Sequence, residues 1–72
     1  MKMKGGLEMK VNGKKMDMED ITTISSLLSK LGVNENKVVV ELNKEIINKE
    51  KYSKINLQED DVIEVISFVG GG

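Results

Sequence analysis

Gly70-Gly71-Gly72 follow Phe68-Val69 with no polar linker between them, and three residues without side chains at that place suit one kind of chemistry. Gly takes φ and ψ values closed to other residues, so such a stretch can thread a channel that admits backbone alone. An α-carboxylate has a typical pKa of about 3.3 to 3.7 and is ionised at neutral pH, so an enzyme that positions it beside ATP lets it attack the α-phosphate. Adenylation converts a poor electrophile into a good one. The Gly72 carboxylate is therefore the expected reactive group, and Gly70, Gly71 and Gly72 are the tail expected to enter a partner's active site. A glycine-rich end can also be an idle terminus. Here it leaves directly from a hydrophobic segment, which gives the arm a fixed origin.

The rest of the inventory is poor in chemistry. The chain has no Cys and no His, so Ser-His-Asp and Cys-His nucleophile systems cannot be built and no zinc site of the usual kind is available. Asp60-Asp61 and Glu19-Asp20 are adjacent acids, but each pair falls at a turn or a helix start, where acids are favoured for structural reasons. Gly5-Gly6 lacks the strand-to-helix context of a phosphate loop. The expectation is a carrier without catalytic residues, bound metal or bound cofactor of its own, and with ATP consumed by a partner.

Eleven lysines stand against twelve acids, for a formal charge of -1, and there is no Arg. That balance does not favour a polyanion, and the forked guanidinium contacts that read phosphates and guanine edges are missing. Nucleic acid is not an expected partner. The longest apolar run is Val38-Val39-Val40, far short of the roughly 20 residues of a membrane span. Met1 to Gly6 has charge but no apolar stretch of the secretory kind. The reading is a cytoplasmic protein, monomeric on its own, with no membrane association.

Seventy-two residues allow one small domain. Residues 1–6 show no period and are read as a flexible leader, 7–69 as the folded domain and 70–72 as a flexible tail. From Leu7 the pattern alternates, with Leu7, Met9 and Val11 on one face and Glu8 and Lys10 on the other, the signature of a half-buried strand. Asn12-Gly13 predicts a tight hairpin, because both central residues of a type I′ turn need positive φ. A second strand, Lys14 to Met18, alternates Met16 and Met18 against Lys15 and Asp17.

The period then changes. Ile24, Leu27, Leu28 and Leu31 fall at i, i+3, i+4 and i+7, the apolar stripe of an amphipathic helix of three turns at most. Thr22 or Thr23 can cap its start, Asp20 lies on the favourable side of its dipole, Lys30 sits in the last turn and Gly32 can end it. Val38 to Leu42 is a third strand with Val38, Val40 and Leu42 inward, turned by Asn43-Lys44 into a short fourth strand around Glu45 to Ile47. Tyr52 anchors the charged connection that follows, and Glu59-Asp60-Asp61 marks a turn. The last strand, Val62 to Phe68, places Ile63 and Val65 on one face and Val62, Glu64, Ile66 and Phe68 on the other.

This order makes an α+β fold in which one helix lies across a mixed sheet of four to five strands. One helix covers one face. Val39, Ile66 and Phe68 are expected on the other, either as a secondary cluster with the loop around Tyr52 or as a partner-docking patch to which Val69 also belongs.

Val11-Asn12-Gly13, the run Val38-Val39-Val40-Glu41-Leu42-Asn43 and the ending Phe68-Val69-Gly70-Gly71-Gly72 together resemble the ThiS family of thiamine-biosynthesis sulfur carriers, over about Leu7 to Gly72. The resemblance implies a ubiquitin-like β-grasp fold. It further implies that an E1-like adenylyltransferase of the ThiF type activates the Gly72 carboxylate with ATP. Sulfur from a cysteine desulfurase or another persulfide donor then replaces AMP to give a thiocarboxylate. A thiazole synthase of the ThiG type would accept that sulfur. Gly71 and Gly72 match the family's terminal pair, and Ile66 and Phe68 lie where such carriers meet the adenylating enzyme. Asn43-Lys44 stands where many members have Asn-Gly. The alternatives are a carrier like the small subunit of molybdopterin synthase and a ubiquitin-like modifier conjugated through Gly72.

Overall fold

The computed structural model describes residues 6–68. Five strands and one helix follow in chain order: β1 (Glu8–Val11), β2 (Lys14–Asp17), α1 (Ile24–Leu31), β3 (Val38–Leu42), β4 (Glu45–Ile47) and β5 (Val62–Ser67). Single turns of 3-10 helix at Glu35–Lys37 and Lys49–Lys51 fill the connections on either side of the second hairpin.

Both hairpins are closed by residues that accept positive φ. Asn12 and Gly13 have φ 54° and 84°, and Asn43 and Lys44 have φ 52° and 73°, the combination a type I′ turn requires. The first turn pairs Val11 with Lys14, and the second pairs Leu42 with Glu45. At Asn43-Lys44 a lysine holds the left-handed position that glycine would occupy without strain.

The helix is set by its ends. The Thr23 hydroxyl accepts from the Ser26 N–H at 3.1 Å, while Ser26 Oγ accepts from the N–H groups of Thr23 and Thr22, each at 2.8 Å. This is a capping box in which serine replaces the usual Glu or Gln. Gly32, at φ 76°, ends the helix with its N–H directed at Leu28 and Ser29 carbonyls, and Lys30 lies in the last turn as expected. Asp20 instead occupies a left-handed turn at φ 65°, and no acid lies in the first helical turn.

The sheet runs β2-β1-β5-β3-β4. β1 and β5 are parallel and every other neighbouring pair is antiparallel. The last strand in sequence is thus the middle one in space, the arrangement of a β-grasp domain. Ile24, Leu27 and Leu28 of α1 are buried with Met9, Val11, Val38, Val40 and Ile63 from the sheet, and with Ile21, Tyr52 and Leu57 from the connections.

Two apolar residues depart from the sequence expectation. Leu7 is 52% exposed and Leu31 is 37% exposed. The helix has eight residues, about 12 Å at 1.5 Å per residue, and covers only the middle of the sheet. Leu7 precedes β1, outside that cover. Leu31 closes the helix over an open cleft beside the first hairpin, shared with Val11 and Met16. β5 also ends at Ser67, one residue before the predicted limit, and β2 ends at Asp17, so Met18 lies beyond it.

Candidate functional site

β5 delivers the chain to the glycine tail, and its position is fixed from both sides. Toward β3 the register runs from Leu42 opposite Ile63 to Val38 opposite Ser67, and the Phe68 N–H donates to the Lys37 carbonyl at 3.1 Å. Toward β1 the pairing is shorter, Lys10 with Val62 and Val11 with Ile63.

Two asparagines extend this grip. Beyond the last β1 pair, the Asn12 N–H donates to the Ile63 carbonyl at 2.9 Å and its Oδ1 accepts from the Val65 N–H at 2.8 Å. On the opposite edge the Asn43 N–H donates to the Val62 carbonyl at 2.7 Å, and its Oδ1 accepts from the Val62 N–H at 2.9 Å. Each hairpin turn therefore clamps the central strand with backbone and side chain together. Sequence reasoning found both residues as turn formers and missed their clamping. A signal was present, since Asn is a residue type that tolerates left-handed φ and still carries an acceptor.

Two of the acids at turns are occupied structurally. Asp61 accepts from the Gln58 N–H at 2.8 Å through Oδ2 and from Asn43 Nδ2 at 3.0 Å through Oδ1. Asp17 accepts from the Glu19 N–H at 2.9 Å. Among the described residues no three His, Cys, Asp or Glu side chains gather as a metal site.

On the face away from the helix, Val39 is half-buried directly opposite Ile66, which is 49% exposed, and Phe68, also 49% exposed, follows on the same side. Tyr52 is not with them. It lies in the helix-side core, 3% exposed, so the secondary cluster around its loop, one of the two sequence readings, does not form. Burial pushes the Tyr52 hydroxyl above its ordinary value of 10.0, repulsion from Glu35 adds to the rise, and the Val40 backbone opposes it. Val39, Ile66 and Phe68 share one surface, with Val62 (40% exposed) and Ile46 (69%) nearby on the same face. Val69 and the tail Gly70, Gly71 and Gly72 lie outside the described residues, as do positions 1–5 of the leader. No helix among the described residues is long and apolar enough to cross a membrane.

The model of the ThiS family matches residues 8–72 of this chain. The sulfur carrier protein ThiS of Bacillus subtilis is 45% identical over 65 residues, covering 89% of this chain and 98% of that protein. A thiazole synthase of Magnetococcus marinus is 42% identical over 66 residues, covering 92% of this chain. The chain spans only 20% of the length of the thiazole synthases it matches. The crystal structure of a thiamine biosynthesis protein (ThiS) from Geobacter metallireducens superposes with a TM-score of 0.77 at 32% identity, covering 92% of this chain and all of that one.

Proposed function

The chain belongs to the ThiS family, and from that premise we propose that it is a sulfur carrier of thiazole formation in thiamine biosynthesis. The Gly72 carboxylate is the group that works. An E1-like adenylyltransferase of the ThiF type joins it to the α-phosphate of ATP with loss of pyrophosphate. The terminal sulfur of a persulfide, from a cysteine desulfurase or another donor, attacks the acyl adenylate and expels AMP; a thiol then cleaves the acyl disulfide, itself ending in a disulfide, and the thiocarboxylate so released gives its sulfur to a thiazole synthase of the ThiG type. The domain contributes no catalytic residue and holds no cofactor. It is a cytoplasmic protein that acts as a reagent for others.

Gly70, Gly71 and Gly72 form the part that enters the partners, because a nucleotide pocket closed to side chains admits them. Val39, Ile66, Phe68 and Val69 form the docking patch that orients the tail. The observation that carries this reading is the exposed apolar row Val39, Ile66 and Phe68 on the uncovered face, at the end of a central strand clamped on both edges. Apolar residues grouped at one place on a surface mark sites of association. The thiazole synthases among the relatives favour thiazole over pterin chemistry.

Incubation with the adenylyltransferase, ATP, a cysteine desulfurase and cysteine, followed by intact mass measurement, tests the reading. Exchange of one carboxylate oxygen for sulfur adds about 16 Da. Deleting Gly72 abolishes this gain and leaves the thermal midpoint unchanged, since a terminal glycine has no side chain to pack. A much heavier species indicates isopeptide conjugation instead, and an unchanged mass overturns the carrier reading. Transfer to molybdopterin synthase in place of thiazole synthase would reassign the pathway.

A further inference from the structure

β2 is the outermost described strand on its side of the sheet, and its neighbour fixes which of its backbone groups face out. In an antiparallel pair, residues that exchange N–H···O bonds alternate with residues whose backbone groups point away from each other. The Lys10 N–H donates to the Asp61 carbonyl and the Glu8 carbonyl accepts from the Asp60 N–H, each at 2.9 Å and each away from β2. The Met18 N–H donates to the Leu7 carbonyl at 2.9 Å, toward β1. Lys10 faces Lys15 and Glu8 faces Asp17 in the register, so the N–H and C=O groups of Lys15 and Asp17 are directed to the open edge. Outward groups in a row are a template for another strand.

The side chains along this edge differ between the two faces. Away from the helix, Glu8 stands opposite Asp17 and Lys10 opposite Lys15, and like charges directly across two strands are destabilising. Diagonal neighbours inside the hairpin soften both repulsions, while the outer flanks of Lys15 and Asp17 meet no described strand. On the helix side Met16 is half-buried and Leu31 is 37% exposed. With Val11, Asn12, Lys14 and Lys15 they line an open cleft of about 420 Å³.

We propose that the β2 edge pairs with the β2 edge of a second copy of this chain, about a two-fold axis that passes between the two Met16 residues, perpendicular to the sheet. In this antiparallel register Lys15 of each copy lies across from Asp17 of the other. Both pairs then exchange two backbone hydrogen bonds, and two five-stranded sheets become one. Each row across the seam reads Lys10, Lys15, Asp17, Glu8, with the lysines from one copy and the acids from the other, so every like-charged pair abuts one of opposite sign. Asp17 already accepts from the Glu19 N–H at 2.9 Å through Oδ1, and a carboxylate has room for a further donor. On the helix side Met16 meets Met16 and Met18 lies across from Lys14, so methionines of the other copy reach the cleft beside Leu31, where a flexible thioether fills an irregular gap. The register is specific. A slide of two residues sets Lys15 against Lys15 or Asp17 against Asp17, and a slide of one sets Lys15 against Met16, whose backbone already bonds to β1. The other edge strand, β4, has three residues and no pair of opposite charges to select a partner. A four-residue seam is smaller than a standard interface, so association is weak and concentration-dependent. This revises the sequence expectation of a monomer. It goes beyond the carrier reading, since Val39, Ile66 and Phe68 lie on or just beyond β3 and β5, away from the seam.

Sedimentation equilibrium of the full chain from about 20 µM to about 1 mM, at low ionic strength, tests the pairing. The weight-average mass rises from 8.0 kDa toward twice that value, and rises less in added salt. Lys15→Asp and Asp17→Lys each set like charges at both contacts and weaken association at least about tenfold. An equimolar mixture of the two variants associates, because each then supplies the charge that the other lacks, and the chain carrying both exchanges associates like the wild type. Ile46→Lys, on the opposite edge, changes nothing. Thermal midpoints show that the variants are folded. Lys15→Asp sets an acid opposite Lys10 and does not lower the midpoint. Asp17→Lys gives up the bond from the Glu19 N–H, and if it fails to fold, Lys15→Asp and the salt dependence decide. A wild type that stays at 8.0 kDa throughout, a Lys15→Asp variant that associates like the wild type, or association lost on Ile46→Lys overturns the pairing. None of these outcomes involves sulfur transfer, so each leaves the carrier reading standing.

Discussion

Val39 and Val40 are the same residue type at neighbouring positions of one strand, and they belong to different worlds. Val40 is fully buried beneath the helix with Leu27, Leu28 and Ile63, whereas Val39 is half-buried beside Ile66 on the face without a helix. The period-2 geometry of a strand separates them completely. The result is a division of labour through the thickness of one sheet. The helix side supplies cohesion, and the other side keeps apolar area in water, which costs free energy in the isolated domain and is the area that the proposed docking would cover.

Truncation on each side should break this symmetry most visibly. Leu27→Ala removes a wholly buried side chain and is expected to lower unfolding free energy by about 2 to 5 kcal/mol, measured by urea denaturation. In a 72-residue domain that is a large share of the total. Phe68→Ala is expected to cost under about 1 kcal/mol in the same measurement, because a side chain already 49% exposed loses little burial. Its effect belongs to the partner assay, where the carrier's KM should rise about tenfold. A core-sized loss for Phe68 would erase the distinction between the faces.

The smallest effect concerns the helix side under alkaline conditions. The Tyr52 hydroxyl titrates above its ordinary value in the folded chain, chiefly through burial, so the unfolded chain ionises first. Stability linked to this group is fully present below the ordinary tyrosine value of about 10 and falls as pH climbs through the folded value. Denaturation curves between about pH 8 and 11 should show that decline in the wild type and a shallower one in Tyr52→Phe. A parallel decline in both would place the alkaline sensitivity elsewhere.

Much of this division was legible in the residues themselves. Alternation assigned Met9, Val11, Val40 and Ile63 to the core and Ile66 and Phe68 to the open face, because a strand's two sides follow directly from its pattern. Asn12-Gly13 and Asn43-Lys44 announced turns, and Gly32 with one of Thr22 and Thr23 bounded the helix, the structure selecting Thr23, since all of these act within a few residues of themselves. The failures were of reach. Leu7 and Leu31 fit their periods yet remain exposed, as a pattern does not record how far a two-turn helix extends over its sheet. The clamps of Asn12 on Val65 and Asn43 on Val62 join positions 53 and 19 residues apart. The apposition of Glu41 and Glu64 likewise exists only once β3 and β5 find their register. For the site, the proposal for Gly72 comes from inventory and adjacency alone, whereas the pairing on the surface before it required the sheet.

The strand order carries a consequence for synthesis. β1 with β2 and β3 with β4 are two hairpins that do not adjoin, and β5 alone joins them. While a ribosome is still adding residues, the nascent polypeptide has two isolated ribbons and an unshielded helix, each marginal in water. Wedging β5 between them completes the sheet in one late event, so no stable globule can exist until that strand has been made. A message cut short upstream of Val62 yields a chain that chaperones and proteases meet as unfolded, with neither half able to pass for the finished molecule.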